Sequence, residues 1–134
     1  MPKQIFEKHP GFPFSKVIVF NSYVFLSGMV APKSVISRPG SEEIKQQTSL
    51  LIYAVENQLV KAGSAMKNIH YLRIFLLDLN NAVYVNQMSM DYFAEDLPAC
   101  SYIQASALPS PSALIEVEAI ASLKEIGLIK VSAQ

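Results

Sequence analysis

The segment Asn68 to Asp78 constrains this chain most, because Ile69, Tyr71, Leu72, Ile74, Phe75, Leu76 and Leu77 place apolar side chains at both odd and even positions. A strand with one wet face alternates, so a run apolar on both parities belongs to a strand covered on both sides, the expected central strand of a sheet. At 134 residues the chain forms one domain with one core. One layer of helices can cover one face of such a sheet, and the second face needs another cover. Composition points the same way: 51% of residues are apolar and only 16% charged, against roughly 25% charged in an ordinary soluble domain. A membrane span is excluded as the reason, because the apolar stretch Val17 to Val30 is broken by Asn21, Ser22, Tyr23 and Ser27 and falls short of the ~20 residues needed to cross. A face hidden against further copies of the chain remains, since permanent oligomer interfaces resemble a divided core.

The 11 basic and 11 acidic residues balance, so no basic field attracts a phosphate backbone, and nucleic acid is disfavoured as a main partner. Met1-Pro2-Lys3-Gln4 lacks the charged start and apolar stretch of a secretory signal, and Cys100 is the lone cysteine. A cytoplasmic setting follows as the expectation.

Along the chain, Ile5 to Pro13 contains Pro10, Gly11 and Pro13 and reads as a loop. Lys16 to Ser27 holds two runs rich in Val, Ile, Phe and Tyr separated by Asn21-Ser22, the pattern of a tight hairpin, with Gly28 ending its second strand. Ala31 to Gly40 reads as a surface loop. Ser41, Glu42 and Glu43 then open a helix with a capping hydroxyl and two carboxylates near the positive end of its dipole. Ile44, Thr48, Leu51, Val55, Leu59 and Ala62 recur at three- and four-residue steps and mark its buried stripe, which ends at Gly63. A second helix is expected over Asn80 to Phe93, where Met88 and Met90 read as packing residues. Strands are expected over Cys100 to Ala105 and Ala113 to Leu123, joined by Leu108-Pro109-Ser110-Pro111. The order hairpin, helix, strand, helix, strand, strand predicts an α+β fold with both helices on one face of a mixed sheet.

Several stretches form a joint pattern: Leu26-Ser27-Gly28, Gln47-Thr48, Val85-Asn86 with Tyr92-Phe93, Pro98-Ala99 before Ser101, Leu108-Pro109, and Ile115-Glu116-Val117-Glu118-Ala119-Ile120-Ala121. In this order and spacing the chain resembles the RidA/YjgF family of reactive-intermediate deaminases, also called endoribonuclease L-PSP, from about Gly11 to Ala121. The resemblance implies a chorismate-mutase-like α+β fold, a homotrimer whose sheets line a central barrel, and small-metabolite clefts at the subunit boundaries. In that family the clefts hydrolyse enamines and imines to a keto acid and ammonia without metal or organic cofactor. An arginine after Pro-Ala clamps the substrate carboxylate, a carboxylate in the Ile-Glu strand places the attacking water, and backbone near Ser-Gly completes the pocket.

Carried over residue by residue, the resemblance implies Glu116 as the water-placing group, with Phe14, Ser27, Gly28, Met29, Asn86, Cys100, Ser101 and Tyr102 around the ligand. Departures accompany it. Cys100 stands at the arginine position, so a bidentate clamp is lost there. Phe14 replaces a tyrosine and Met29 a glutamine, so two polar handles have become apolar, and Tyr102 stands where many relatives have cysteine. Arg73 is a candidate relocated cation; the alternative is a salt bridge to an acidic residue of the next subunit. Glu116 and Glu118 share a strand face about 6.5–7 Å apart. The alternative to a working Glu116 is that both glutamates form ion pairs across an interface. Cys100 as a nucleophile is poorly supported, since a nearby carboxylate raises a thiol pKa. His9, His70 and Cys100 are too scattered for a metal site, so neither metal nor cofactor is expected. Two functions remain open: a divergent enamine or imine hydrolase, and a trimer that binds a more apolar metabolite without turning it over.

Overall fold

A computed structural model describes residues 2–31, 41–93 and 95–123. The expected surface loop Ala31 to Gly40 falls, after its first residue, outside the described residues. Eight main elements follow in order: β1 (Gln4–Lys8), β2 (Ser15–Phe20), β3 (Tyr23–Val30), α1 (Ser41–Lys61), β4 (Ile69–Leu76), α2 (Ala82–Phe93), β5 (Ala99–Gln104) and β6 (Ile115–Ser122). They build one six-stranded sheet of order β1-β2-β3-β6-β4-β5. All pairings are antiparallel except β4 with β5, which are parallel and linked through α2.

The hairpin of β2 and β3 turns at Asn21 and Ser22, with φ of 50° and 66°. Two consecutive left-handed residues match the right-handed twist of paired strands, and asparagine tolerates that conformation better than most residues. α1 buries Ile44, Thr48, Leu51, Val55 and Leu59, the stripe that its periodicity predicts. It stops where Gly63 adopts φ +88°. The Gly63 N–H donates to the Val60 carbonyl at 3.1 Å and the Ser64 N–H to the Leu59 carbonyl at 2.8 Å, so the last turn closes on itself in a Schellman motif. Buried Ser64 donates to the Ser122 carbonyl at 2.6 Å and ties this helix end to β6.

Both helices lie on one side of the sheet, where Val17, Val24, Leu26, Leu72, Ile74, Ile115 and Val117 form the core with α1 and with Val85 and Phe93 of α2. Gln47 fixes the register of α1 against the loop before β6. Its amide Nε2 donates to the Ser112 carbonyl at 2.9 Å, and its Oε1 accepts the Leu114 N–H at 2.8 Å. Both ends of a buried side-chain amide are thereby satisfied. Neither helix is long and apolar enough to cross a membrane.

Two sequence expectations are corrected. Ile5 to Lys8, expected as the start of a loop, belongs instead to the edge strand Gln4–Lys8 paired with β2; the turn residues that suggested a loop begin only at Pro10. β4 is not central. β3 and β6 hold the middle, and β4 is second from the edge. Its apolar outward parity, Tyr71 and Phe75, faces the uncovered side of the sheet beside exposed Phe25 and Ile103. No described element packs over that side, so both parities of β4 are apolar for different reasons.

Candidate functional site

Irregular pairing between β3 and β6 starts the site. Leu26 pairs with Ala119 and Met29 with Val117, so Ser27 and Gly28 together oppose Glu118. This two-against-one bulge redirects the end of β3. The Ser27 hydroxyl donates to the Ser15 carbonyl at 2.6 Å and holds the bulge against β2. The missing side chain at Gly28 leaves space that the Glu116 carboxylate fills, since a Cβ built there would collide with Glu116 Oε1. Burial raises the Glu116 pKa above its usual value, and the negative charge of Glu118 adds to the effect.

A cleft of about 550 Å³ opens over this carboxylate. Its floor is Ser27, Gly28, Met29 and Glu116, and the β1–β2 loop forms a wall of His9, Phe12 and Phe14. The His9 ring meets Phe12 edge-on at 4.6 Å and Phe14 at 5.0 Å, with 5.5 Å between the two phenylalanine rings. The His9 N–H donates to the Phe14 carbonyl and the Phe12 N–H to the His9 carbonyl, both at 3.1 Å, so the loop folds back on itself. Lys16 also lines the cleft.

The expected site residues fall into three groups. Phe14, Ser27, Gly28, Met29 and Glu116 share the cleft. Asn86, Cys100 and Tyr102 form a second group where α2 meets the edge strand β5. There the Tyr102 hydroxyl donates to Asn86 Oδ1 at 2.6 Å, and burial, with Cys100 adding, pushes the tyrosine pKa up to about 12. Partial desolvation also raises the Cys100 pKa, which favours the thiol over the thiolate. The third group lies on the open sheet face. Ser101 accepts a hydrogen bond from the Tyr71 hydroxyl at 2.7 Å. Arg73 binds Glu118 at 2.7 Å and lies 5.8 Å from the centre of the Tyr71 ring. The acidic partner of Arg73 thus belongs to its own chain, across the β4–β6 register, and Arg73 is absent from the cleft lining. Ser101 pairs with Arg73 and turns away from Cys100 and Tyr102, its neighbours in sequence, because adjacent strand residues point to opposite faces.

His9, Phe12 and Lys16 were not among the residues expected at the site. Pro10, Gly11 and Pro13 gave their segment the look of a plain connector, and only the clustering of two phenylalanines and a histidine within six residues hinted at a shared wall.

The chain matches known proteins over most of its length. Residues 7–123 match the endoribonuclease L-PSP family. A RutC family protein of Pyrococcus abyssi is 30% identical over 109 residues, covering 81% of this chain and 85% of that protein. Reactive Intermediate Deaminase A of Arabidopsis thaliana, a chloroplast protein, is 33% identical over 111 residues, covering 83% of this chain and 59% of the plant protein. Among solved structures, YyfA of Yersinia pestis, a Rid family protein of unknown function, superimposes with a TM-score of 0.79 at 28% identity, covering 91% of this chain and 100% of that one. A YjgF family member from Neisseria meningitidis superimposes with a TM-score of 0.80 at 22% identity, covering 94% of this chain and 98% of that one, which speaks to the fold alone. The α+β sheet with two helices on one face is the architecture these structures share. The chain belongs to the RidA/YjgF family, also called endoribonuclease L-PSP.

Proposed function

We propose that the cleft over Glu116 hydrolyses an enamine or imine of a small metabolite to the corresponding carbonyl compound and ammonia, and that it works at the seams of a homotrimer. The observation that carries this reading is the carboxylate lodged over Gly28, with a raised pKa, beside the Ser27 bulge. A carboxylate of this kind takes a proton from water more readily than a free glutamate does. As the water oxygen bonds to the imine carbon, the C=N π pair moves to nitrogen and Glu116 accepts the water proton. Glu116 returns this proton to the nitrogen to give the neutral carbinolamine, then carries the hydroxyl proton to the same nitrogen as the oxygen lone pair forms C=O, the C–N bond breaks and ammonia leaves. An imine is already electrophilic, so placing water and substrate supplies most of the required catalysis.

Two further observations support the trimer. Phe20, Tyr23, Phe25 and Ile103 are exposed on the face opposite the helices, an apolar area that copies of the chain would cover. Asn86, Cys100 and Tyr102 lie at the β5 edge and outside the cleft lining, where a neighbouring copy could bring them to the Glu116 cleft. The name of the plant relative agrees with a deaminase.

The test is ammonia release from an imine generated in situ by an amino-acid oxidase. Wild-type protein should accelerate release over buffer and Glu116→Gln should not; equal rates for the two would remove Glu116 from the chemistry. The second reading, binding without turnover, is favoured by one specific feature, the apolar Phe14 and Met29 in the cleft wall. It predicts tight binding of a keto acid with no acceleration by wild type.

A further inference from the structure

The cleft carries a cation and an aromatic wall that the hydrolytic reading does not use. Lys16 is the one lysine or arginine among the described residues that line it. Its ammonium lies 3.4 Å from Glu7 Oε1, with the two side chains 37% and 36% exposed, a loose contact in water that another anion can replace. Glu7 does not depend on Lys16 alone. Partial burial raises its pKa, but a hydrogen bond with Gln58 and the charges of Lys16 and Lys61 bring it below the usual value. Gln58 and Lys61 would continue to satisfy Glu7 if Lys16 turned to a ligand.

In the same cleft, Phe12 and Phe14 are 57% and 48% exposed although their ring cluster and backbone bonds hold them in place. Fixed but uncovered rings gain by burial against an apolar ligand and lose little conformational freedom in doing so. The volume of about 550 Å³ lies in the range that encloses drug-sized molecules, well above the needs of a three-carbon acid.

We infer that this cleft selects a carboxylate ligand with an aromatic side chain: Lys16 binds the carboxylate, and Phe12 and Phe14 receive the ring. As a substrate assignment this rests on the imine-hydrolase reading, whereas as a binding assignment it stands apart from it. The matching substrate is the 2-imino acid of an aromatic amino acid.

The experiment compares phenylpyruvate, pyruvate and the uncharged phenylacetone as titrants of the assembled protein by calorimetry. Phenylpyruvate should bind about tenfold or more tightly than pyruvate, the scale of burying much of an aromatic ring. Phe12→Ala should bring that ratio close to one, and Phe12→Leu should restore part of it. Lys16→Met should weaken phenylpyruvate about fivefold to tenfold and leave phenylacetone unchanged. Glu7→Gln, which breaks the same ion pair from the other side, should leave phenylpyruvate binding intact or tighten it. Equal affinity for pyruvate and phenylpyruvate overturns the inference. So does equal weakening by Glu7→Gln and Lys16→Met, or a Phe12→Ala that dissociates the oligomer without changing the ratio. If selectivity holds while no imine is turned over, the hydrolase reading fails and this one stands. If imines derived from alanine and phenylalanine are hydrolysed at equal kcat/KM, the hydrolase reading stands and this one fails.

Discussion

Gly28 and Glu116 occupy one volume: the carboxylate of Glu116 lies where a side chain at position 28 would be. Gly28 is not among the glycines with positive φ, so alanine fits its backbone and the conflict is with Glu116 alone. Gly28→Ala should therefore keep the fold, with circular dichroism unchanged, and lower imine turnover about tenfold or more by displacing the carboxylate. In a Glu116→Ala background the same substitution should have no further effect on activity, a non-additivity that a double-mutant cycle measures directly.

Because Glu116 takes up protons more readily in the folded chain than its ordinary value of 4.5 allows, folding binds protons at this position. Stability from Glu116 is then present in full below pH 4.5 and is lost as pH rises through the folded-state pKa. Glu116→Gln should flatten that part of the stability–pH curve, seen as a gain relative to wild type at pH 7 that is absent at pH 4. In activity, Glu118→Gln removes a neighbouring negative charge and lowers the Glu116 pKa. The acid limb of kcat/KM should shift to lower pH, and an unmoved limb would remove Glu116 as the titrating base.

Gln47 meets the Ser112 carbonyl and the Leu114 N–H from within α1. Gln47→Leu leaves both backbone groups without partners, at a cost of about 2–3 kcal/mol in urea unfolding. Since this contact places the start of β6, the variant should also lose ligand affinity before it unfolds.

Ser22 holds φ 66°, a conformation that costs a residue with a side chain roughly 1–2 kcal/mol relative to its preferred regions. Ser22→Gly should stabilise the chain by about 0.5–1 kcal/mol after the entropy of the more flexible unfolded glycine is included. Thermal unfolding at fixed protein concentration measures the gain.

Phe25 faces the uncovered side of the sheet. Phe25→Asp would place a charge on the apolar face that the proposed trimer would cover and, if that assembly forms, should shift sedimentation toward monomer with the helix content retained.

The hairpin and α1 were legible because their signals are local. Asn21-Ser22 sets the turn, and the spacing of Ile44 to Leu59 sets one helical face. β1 was not, because Gln4–Lys8 gains its conformation from pairing with β2, with register shifts around Glu7, and little in five residues announces that partner. Apolar parity showed that β4 belongs in a sheet but could not order the strands, since its outward face is apolar although no described element covers it. Glu116 and Gly28 were readable as a motif, and the resemblance supplied their roles. Lys16 and Phe12 reach the cleft through a loop whose path depends on backbone bonds between His9, Phe12 and Phe14, which periodicity does not encode. Arg73 illustrates the same limit: its strand position was visible, but its choice of Glu118 follows from the register of β4 against β6.

The place of β6 in the strand order has a consequence for biosynthesis. It joins β3 to β4, the two halves of the sheet, yet it is the last of the described strands to leave the ribosome. Until Ile115 to Ser122 has emerged, the β1-β2-β3 meander and the β4-α2-β5 unit share no strand pairing among the described residues to align them. The nascent chain therefore completes its sheet only late in synthesis, and until then its strand edges and apolar faces are open to wrong partners, the stage at which chaperone protection matters most.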